Sequence, residues 1–547
     1  YLTTGEQTGI CCGTVKVCNK MRRREDRSPT PLIGTFVVVT TVMYMIGCGG
    51  QAGSESNTDR DTDVSTVAKA SEPRGIRVHT PQASPGYVYF TPLLSDTTYL
   101  IDNGGQVVHI WESDYAPSAW VYLLDNGNLI RGAREPEVPT FSGGGQGGRI
   151  QEFTWDGELV WDFVFATQNH LLHHDVEVLP NGNVLAVAWE LKSPEEAGRV
   201  GRRPELIPER GLWPDMVVEF ARQTTDEVRI VWEWHMWDHT IQNYDQSLYN
   251  YGEPTEHPEL IDVNGNLAPS EISEEELAQL QVLGYMPPDT TPEALQSDFM
   301  HTNAISYNAD LDQIVLSILN YNEIWIIDHS TTTDEAAGST GGRWGRGGDL
   351  LYRWGNPRVY GRGDGLQQKL FGQHDSRWIP PGMPGAGHLL LFNNSLSGPE
   401  GNYSAVFEIT LPTDGKGRLV LPETGAFGPE TVTWSYTAPN KTSMFSPFLS
   451  GAHRLANGHT MITSGAQGRF VEINSEGEIV WEYWTPYSGD VKMPNGSRPH
   501  QAGGLTYPVF RATKIPSDHP ALIGRDLRPL DPQPPIVLPS SATQNAF

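Results

Sequence analysis

A tryptophan that closes a short apolar strand recurs six times, at Trp111, Trp161, Trp232, Trp354, Trp434 and Trp481. Each is preceded by a strand that ends in an acidic residue or Asn, then a turn, then the strand that carries the tryptophan. "TTYLIDNGGQVVHIW", "RIQEFTWDGELVW" and "RFVEINSEGEIVW" show the pattern. Successive tryptophans lie 50, 71, 122, 80 and 47 residues apart, and the shortest intervals match the roughly 40–50 residues of a four-stranded propeller blade. Hairpin signatures fill the gaps: "VYLLDNGNLIRGA", "VEVLPNGNVLAVAW" and "HRLANGHTMITSG" each place a Gly/Asn turn between two apolar runs. The predicted fold is all-β, a six-bladed β-propeller with loop and helical insertions on one face. "YPVFRATKI" is expected to pair beside "GYVYFTPL" and close the ring, which protects the sheet edges. The tryptophans are read as packing between blades. Abundant glycine (57) and proline (41) beside 16 Trp and 20 Tyr fit a turn-rich β protein and argue against a disordered chain.

The two longest stretches without a hairpin mark insertions. "EISEEELAQLQVLGYM" is an amphipathic helical patch between Pro-rich loops, and "STTTDEAAGSTGGRWGRGG" is Gly-rich and basic. Insertions of this kind extend from propeller faces, where one or both can form a lid.

Met21 opens "MRRREDRSPTPLIGTFVVVTTVMYMIGC", in which four arginines precede an apolar run from Leu32 to Ile46. That arrangement predicts a signal peptide over 21–48, the run being short for a membrane span; a single anchoring helix is the competing reading. "MIGCGG" resembles a bacterial lipoprotein processing site, with Met where Leu is usual, and makes Cys48 the lipidated residue. Residues 1–20 then read as untranslated upstream sequence, 49–80 as a flexible polar tether, 81–515 as the propeller and 516–547 as a Pro-rich tail. The expected location is periplasmic or cell-surface, at the outer membrane, since Gly49 and not Asp follows Cys48. Cys11, Cys12 and Cys18 precede Met21 and no cysteine follows Cys48, so stability must come from core size and closure. A net charge of −28 opposes nucleic acid as a partner.

His174, His301 and His374 each stand seven residues before a turn residue: Asn181, Asn308 and Pro381. Three blades therefore carry histidine in one register at the mouth of the inner strand, and the side chains should converge on the axis. His173 should face away from His174 and serve structure. His453 lies four residues before its turn and ranks second. Clustered imidazoles suit a metal site or nucleophilic and acid–base work. No HExxH, GxSxG or P-loop is present, and "SGGGQGGR" lacks the strand–helix context of a nucleotide site. No metal and no cofactor is predicted. Asp175 and Asp375 directly follow two of the histidines and are read as turn or backbone partners, not triad acids.

Together "HHDVEVLPNGN", "DFMHTNAISYNADLDQIVLS", "NEIWIIDHSTTT", "QHDSRWIP" and "VFRATKIPSDHPAL" resemble the bacterial arylsulfotransferase family over about Tyr87 to Leu522. The resemblance implies an exported six-bladed propeller that moves a sulfuryl group from an aryl sulfate to a phenolic acceptor without a nucleotide sulfate donor. It implies that His374 is transiently sulfated, while His301 and His174 hold the sulfate and assist proton transfer. One position departs: the family's arginine 18 residues after the His301 equivalent is Leu319 here, followed by Asn320. Substrate-binding candidates are Asn303, Asn320, Arg377 and His453, and an arginine of "RWGRGG" is a further source of positive charge. A metal-dependent hydrolase such as a sulfatase, or a non-catalytic binding propeller, are the competing functions.

Overall fold

Each Gly/Asn turn reverses the chain between neighbouring strands, and the turn at Asn181 is representative. Asn181 Oδ1 accepts from Asn183 N (2.9 Å), and Gly182 takes a φ of +85°, open to glycine at no steric cost. The turn joins His170–Val178 to Val184–Glu190, with Val178 opposite Val184. The computed structural model describes residues 73–536, apart from 137, 224–227, 267–272, 283–285, 288–289, 415–416 and 489–505. The proposed signal, Cys48 and most of the tether lie outside the described residues.

Repetition of this unit makes a six-bladed β-propeller. Blades 2 to 6 run Pro117–Val164, His170–His235, Thr302–Trp354, His374–Tyr436 and Gly451–Trp484, each a meander of four antiparallel strands. The first strands of neighbouring blades touch one another around the ring, so they line the axis. Blade 1 takes three strands from Gly86 to Glu112 and its innermost strand, Val509–Pro516, from the other end of the chain. That strand pairs antiparallel with Gly86–Pro92, placing Tyr89 opposite Thr513, which is the expected closure. Residues 75–79, inside the segment read as tether, instead add a fifth strand to the outside of blade 6. Their backbone finds partners in the exposed edge of Ile479–Trp484, which a free tether would leave open.

The repeating tryptophans sit on the outermost strands and reach the next blade. Trp111 Nε1 donates to Thr154 O in blade 2, Trp354 Nε1 to Pro429 O in blade 5, and Trp481 Nε1 to Asn103 O in blade 1. Trp161 and Trp434 lie under the guanidinium groups of Arg222 and Arg454 from the following blades. Five of the six are buried; Trp434 is half-buried.

The two insertions leave from opposite ends of the propeller, and not from one face as expected. Every strand reversal swaps ends, so the segment after blade 3's fourth strand emerges at the mouth that carries the histidines. The segment between blade 4's third and fourth strands emerges at the far end. The first insertion carries the expected helix, Glu274–Val282. Leu277 and Leu280 of that helix pack with Leu93, Phe448 and Phe510, so the helix roofs the mouth of the axis.

Trp111, 1% exposed, should act as a wedge between blades 1 and 2. Trp111→Ala is expected to cost about 3–5 kcal/mol in a denaturant titration; an unchanged midpoint would remove the wedge role.

Candidate active site

The inner strands of blades 3, 4 and 5 break their regular alternation where they enter the axis. His174, His301 and Asp375 have φ values of +52°, +55° and +59°, sparsely populated conformations for residues with a side chain. Strand pairing shifts register at the same places, between Ala186 and Ala188, Thr302 and Ala304, and His374 and Arg377. Such irregularities re-aim side chains. His173 therefore does not face away from His174: their Nδ1 atoms lie 2.8 Å apart. The period-two argument fails because His174 is not extended.

His374 is wholly buried, and its Nδ1–H donates to Gly372 O and Asn394 Oδ1, both at 3.0 Å. The Asn394 amide is fixed in turn, its Nδ2 donating to Ser446 O and Leu449 O. Two acceptors on Nδ1 assign the proton to that nitrogen and leave the lone pair on Nε2, which has no partner among the described residues. Burial pushes the imidazole down to about 3, so it is neutral at physiological pH.

The other two histidines are oriented through carboxylates. His301 Nδ1–H donates to Asp298 Oδ2 (2.5 Å), and Asp298 Oδ1 accepts from Trp189 Nε1 (3.1 Å). The His174 ring stands edge-on to His301, with centroids 4.3 Å apart. His173 stacks on Trp189 and places Nε2 3.2 Å from Asp215 Oδ1, off the line of a hydrogen bond. A proton on His173 Nε2 facing that carboxylate makes its Nδ1 the acceptor of His174 Nδ1–H. The lone pair of His174 then sits on Nε2, buried and unpartnered among the described residues. Burial, then the charge of His301, holds His174 well below its ordinary value. His374 lies within electrostatic reach of both His174 and His301.

Deeper along the axis the lining is charged. Asp175 accepts from Tyr122 Oη (2.7 Å) and from Arg511 Nη1 (2.8 Å), while Asp375 meets Arg511 Nε (2.9 Å) and Arg377. Each aspartate also accepts a backbone N–H, Asp175 from Ile305 and Asp375 from Ala452, as the expected backbone partner, and each in addition meets the buried Arg511. Burial and the nearby Asp175 push Glu177 up to about 8.

The remaining expected residues divide. Asn303 donates through Nδ2 to Gln373 O (2.7 Å) and leaves Oδ1 unpartnered among the described residues, close to the cluster. Asn320 supports the Asp298 loop by donating to its carbonyl (2.7 Å). Leu319 lies beside His301, its N–H donating to His301 O (3.3 Å), and brings no charge. Arg377 is committed to Asp375. His453 is outside the cluster: its Nε2 accepts from Lys514 N (3.1 Å), and burial beside Arg377 lowers it to about 4. The "RWGRGG" arginines are at the far end. Arg343 donates to Asp310 O and Trp344 to Leu311 O, at the turn closing a seven-residue strand, roughly 20 Å from His301.

Among the described residues no group of three His, Cys, Asp or Glu side chains is arranged to hold a metal ion. Two open grooves lie elsewhere, one of about 640 Å³ beside Trp155 and Arg525 and one of about 530 Å³ beside Trp344. The histidines instead lie beneath the helical roof, with Phe510 6.4 Å from His174.

Sequence reasoning missed Arg511, Asp298 and Gly145. The last belongs to the dismissed glycine run: its carbonyl accepts from His174 N (2.8 Å), and a Cβ there would fall 2.3 Å from the imidazole. Gly157 shares a positive φ (+83°) but faces open space. Gly145→Ala should therefore be less stable than Gly157→Ala by about 1–3 kcal/mol, read by chemical denaturation; equal losses would mean that His174 does not need that gap.

A protein of unknown function from Bacteroides caccae is similar at 11% identity, covering 73% of this chain and 94% of its own, with a TM-score of 0.38. Virginiamycin B lyase from Staphylococcus aureus is similar at 11% identity over 78% and 89% of the two chains, with a TM-score of 0.32. Likeness at that level carries no argument. No curated protein matches the sequence. The family model described as Arylsulfotransferase (ASST) matches residues 78–405, more than half of the chain, and spans all three clustered histidines. The chain belongs to the arylsulfotransferase family.

Proposed function

We propose that this protein moves a sulfuryl group from an aryl sulfate to a phenol through a sulfohistidine at His374. The observation that carries the reading is the state of that imidazole: neutral, its proton committed on Nδ1, its Nε2 lone pair buried and unpartnered among the described residues. Attack by Nε2 forms an N–S bond as the S–O bond to the aryl group breaks, and the phenolate leaves with the electron pair. The ring becomes positive while bonded to the sulfonate, and the carbonyl oxygens of Gly372 and Asn394 already face its Nδ1–H. That arrangement stabilises charge as it develops, with no reorganisation.

His301, its Nδ1–H held by Asp298, passes a second proton, carried on Nε2, to the departing phenolate oxygen. In the second half-reaction the acceptor phenol returns that proton to His301 as its oxygen attacks sulfur and the N–S bond breaks. His374 is restored neutral, and the atoms balance over the cycle. His174 remains uncharged against His301 and orders it, itself ordered by His173 and Gly145. The apolar roof excludes water, which would otherwise hydrolyse the intermediate. The arginine-rich segment from Met21 and the "MIGC" site support export and a lipid anchor on Cys48, so the same reading places the enzyme outside the cytoplasm.

Intact-mass spectrometry after mixing with a nitrophenyl sulfate tests this. One added sulfuryl group, about 80 Da, should form, vanish on adding a phenol and be absent from His374→Ala. No adduct and no phenol release across a panel of aryl sulfates would refute the reading.

A further inference from the structure

Arg511 lies on the strand that closes the ring, yet its partners are the residues that carry the histidines. Its Nη1 donates to Asp175 Oδ2 (2.8 Å), the residue after His174, and its Nε lies 2.9 Å from Asp375 Oδ1, the residue after His374. Its Nη2 donates to Asn303 O (3.1 Å), two residues after His301. One planar guanidinium thus binds blades 3, 4 and 5 from blade 1. Asp175 Oδ2 also accepts from Ile305 N in blade 4 (3.2 Å), and Asp375 Oδ2 from Ala452 N in blade 6 (3.0 Å), so the clamp extends into neighbouring backbones. His174 and Asp375 both sit at positive φ, conformations that persist only where the surroundings over-determine them. Arg511 touches Asp375 itself and the residue next to His174.

We infer that Arg511 is the positioning residue of this site: from the closing strand it fixes Asp175, Asp375 and the Asn303 carbonyl, and so sets the three histidines in one shared geometry. The inference rests on the sulfohistidine reading for its kinetic consequence alone. It couples chemistry to ring closure, since the site is complete only when Val509–Pro516 is in place. Lysine at this position keeps the charge, but its three donors share one nitrogen and cannot span partners that the guanidinium reaches from Nη1, Nη2 and Nε separately.

The test compares Arg511→Lys with Lys514→Gln. The Lys514 side chain lies on the same strand but pairs with Glu472, away from His174, His301 and His374, and so reports loosened closure alone. Thermal unfolding sets the two losses of stability side by side, and stopped-flow with 4-nitrophenyl sulfate reads the first transfer to His374. Arg511→Lys should slow that step by roughly 100-fold, the scale of an ångström-level misplacement, while Lys514→Gln stays within a few-fold. Crystal structures of both variants should show the His174 or His374 ring displaced only in Arg511→Lys. Equal slowing in the two variants, or full speed with unmoved rings in Arg511→Lys, would overturn the inference. If the unaltered protein forms no adduct, the sulfohistidine reading fails and ring positions alone decide the role of Arg511.

Discussion

Ring closure carries the rest of this architecture. An open array of six twisted sheets would leave the apolar faces of its two end blades in water, and without Val509–Pro516 the inner edge of Gly86–Pro92 would be unpaired. Pairing Val509–Pro516 with Gly86–Pro92 removes both problems, because it completes blade 1 from two ends of the chain and brings blades 6 and 1 into contact. The tryptophans then work in series around the ring, each outer strand reaching the next blade. No disulfide is available to the described residues, whose sequence holds no cysteine. Burial and hydrogen bonding around the closed ring hold the fold.

The same closure creates a place where polar groups are kept from water. At the mouth of the axis, under an apolar roof, His374 and His174 are neutral because charging them there is costly. Neutrality is the property that a nitrogen nucleophile needs. The counterpart lies just below, where Asp175 and Asp375 meet Arg511 and Arg377 and the charges compensate one another. Dry neutral imidazoles above a balanced ionic layer divide the labour: one layer reacts, the other holds geometry. Leu319 adds no cation beside His301, so the guanidinium charges of this site lie in the layer beneath.

Much of this was legible in sequence because repeats register themselves. Turn residues mark where each hairpin reverses, and counting back seven from Asn181, Asn308 and Pro381 sets His174, His301 and His374 in one register. Arg511 was not legible in that way. Its contacts with Asp175 cross 336 residues, and a lone arginine in an alternating strand looks like any outward charge. His173 and Gly145 were hidden for a different reason: the alternation that sends neighbours to opposite faces fails at a left-handed His174, and a glycine run read as a failed phosphate loop makes room for its ring. The two insertions looked alike as long gaps. Only the number of strand reversals before each separates the roof from the far end.

The proposed chemistry depends on the proton of one imidazole, and histidine-selective ¹⁵N NMR reads it directly, with His374→Asn to assign the signal. Between about pH 8 and pH 5, a range spanning the ordinary histidine value, His374 should keep its proton on Nδ1 and its Nε2 bare, without titrating. A signal that titrates near 6.5, or a proton resting on Nε2, would contradict the preorganised nucleophile on which the proposed chemistry depends.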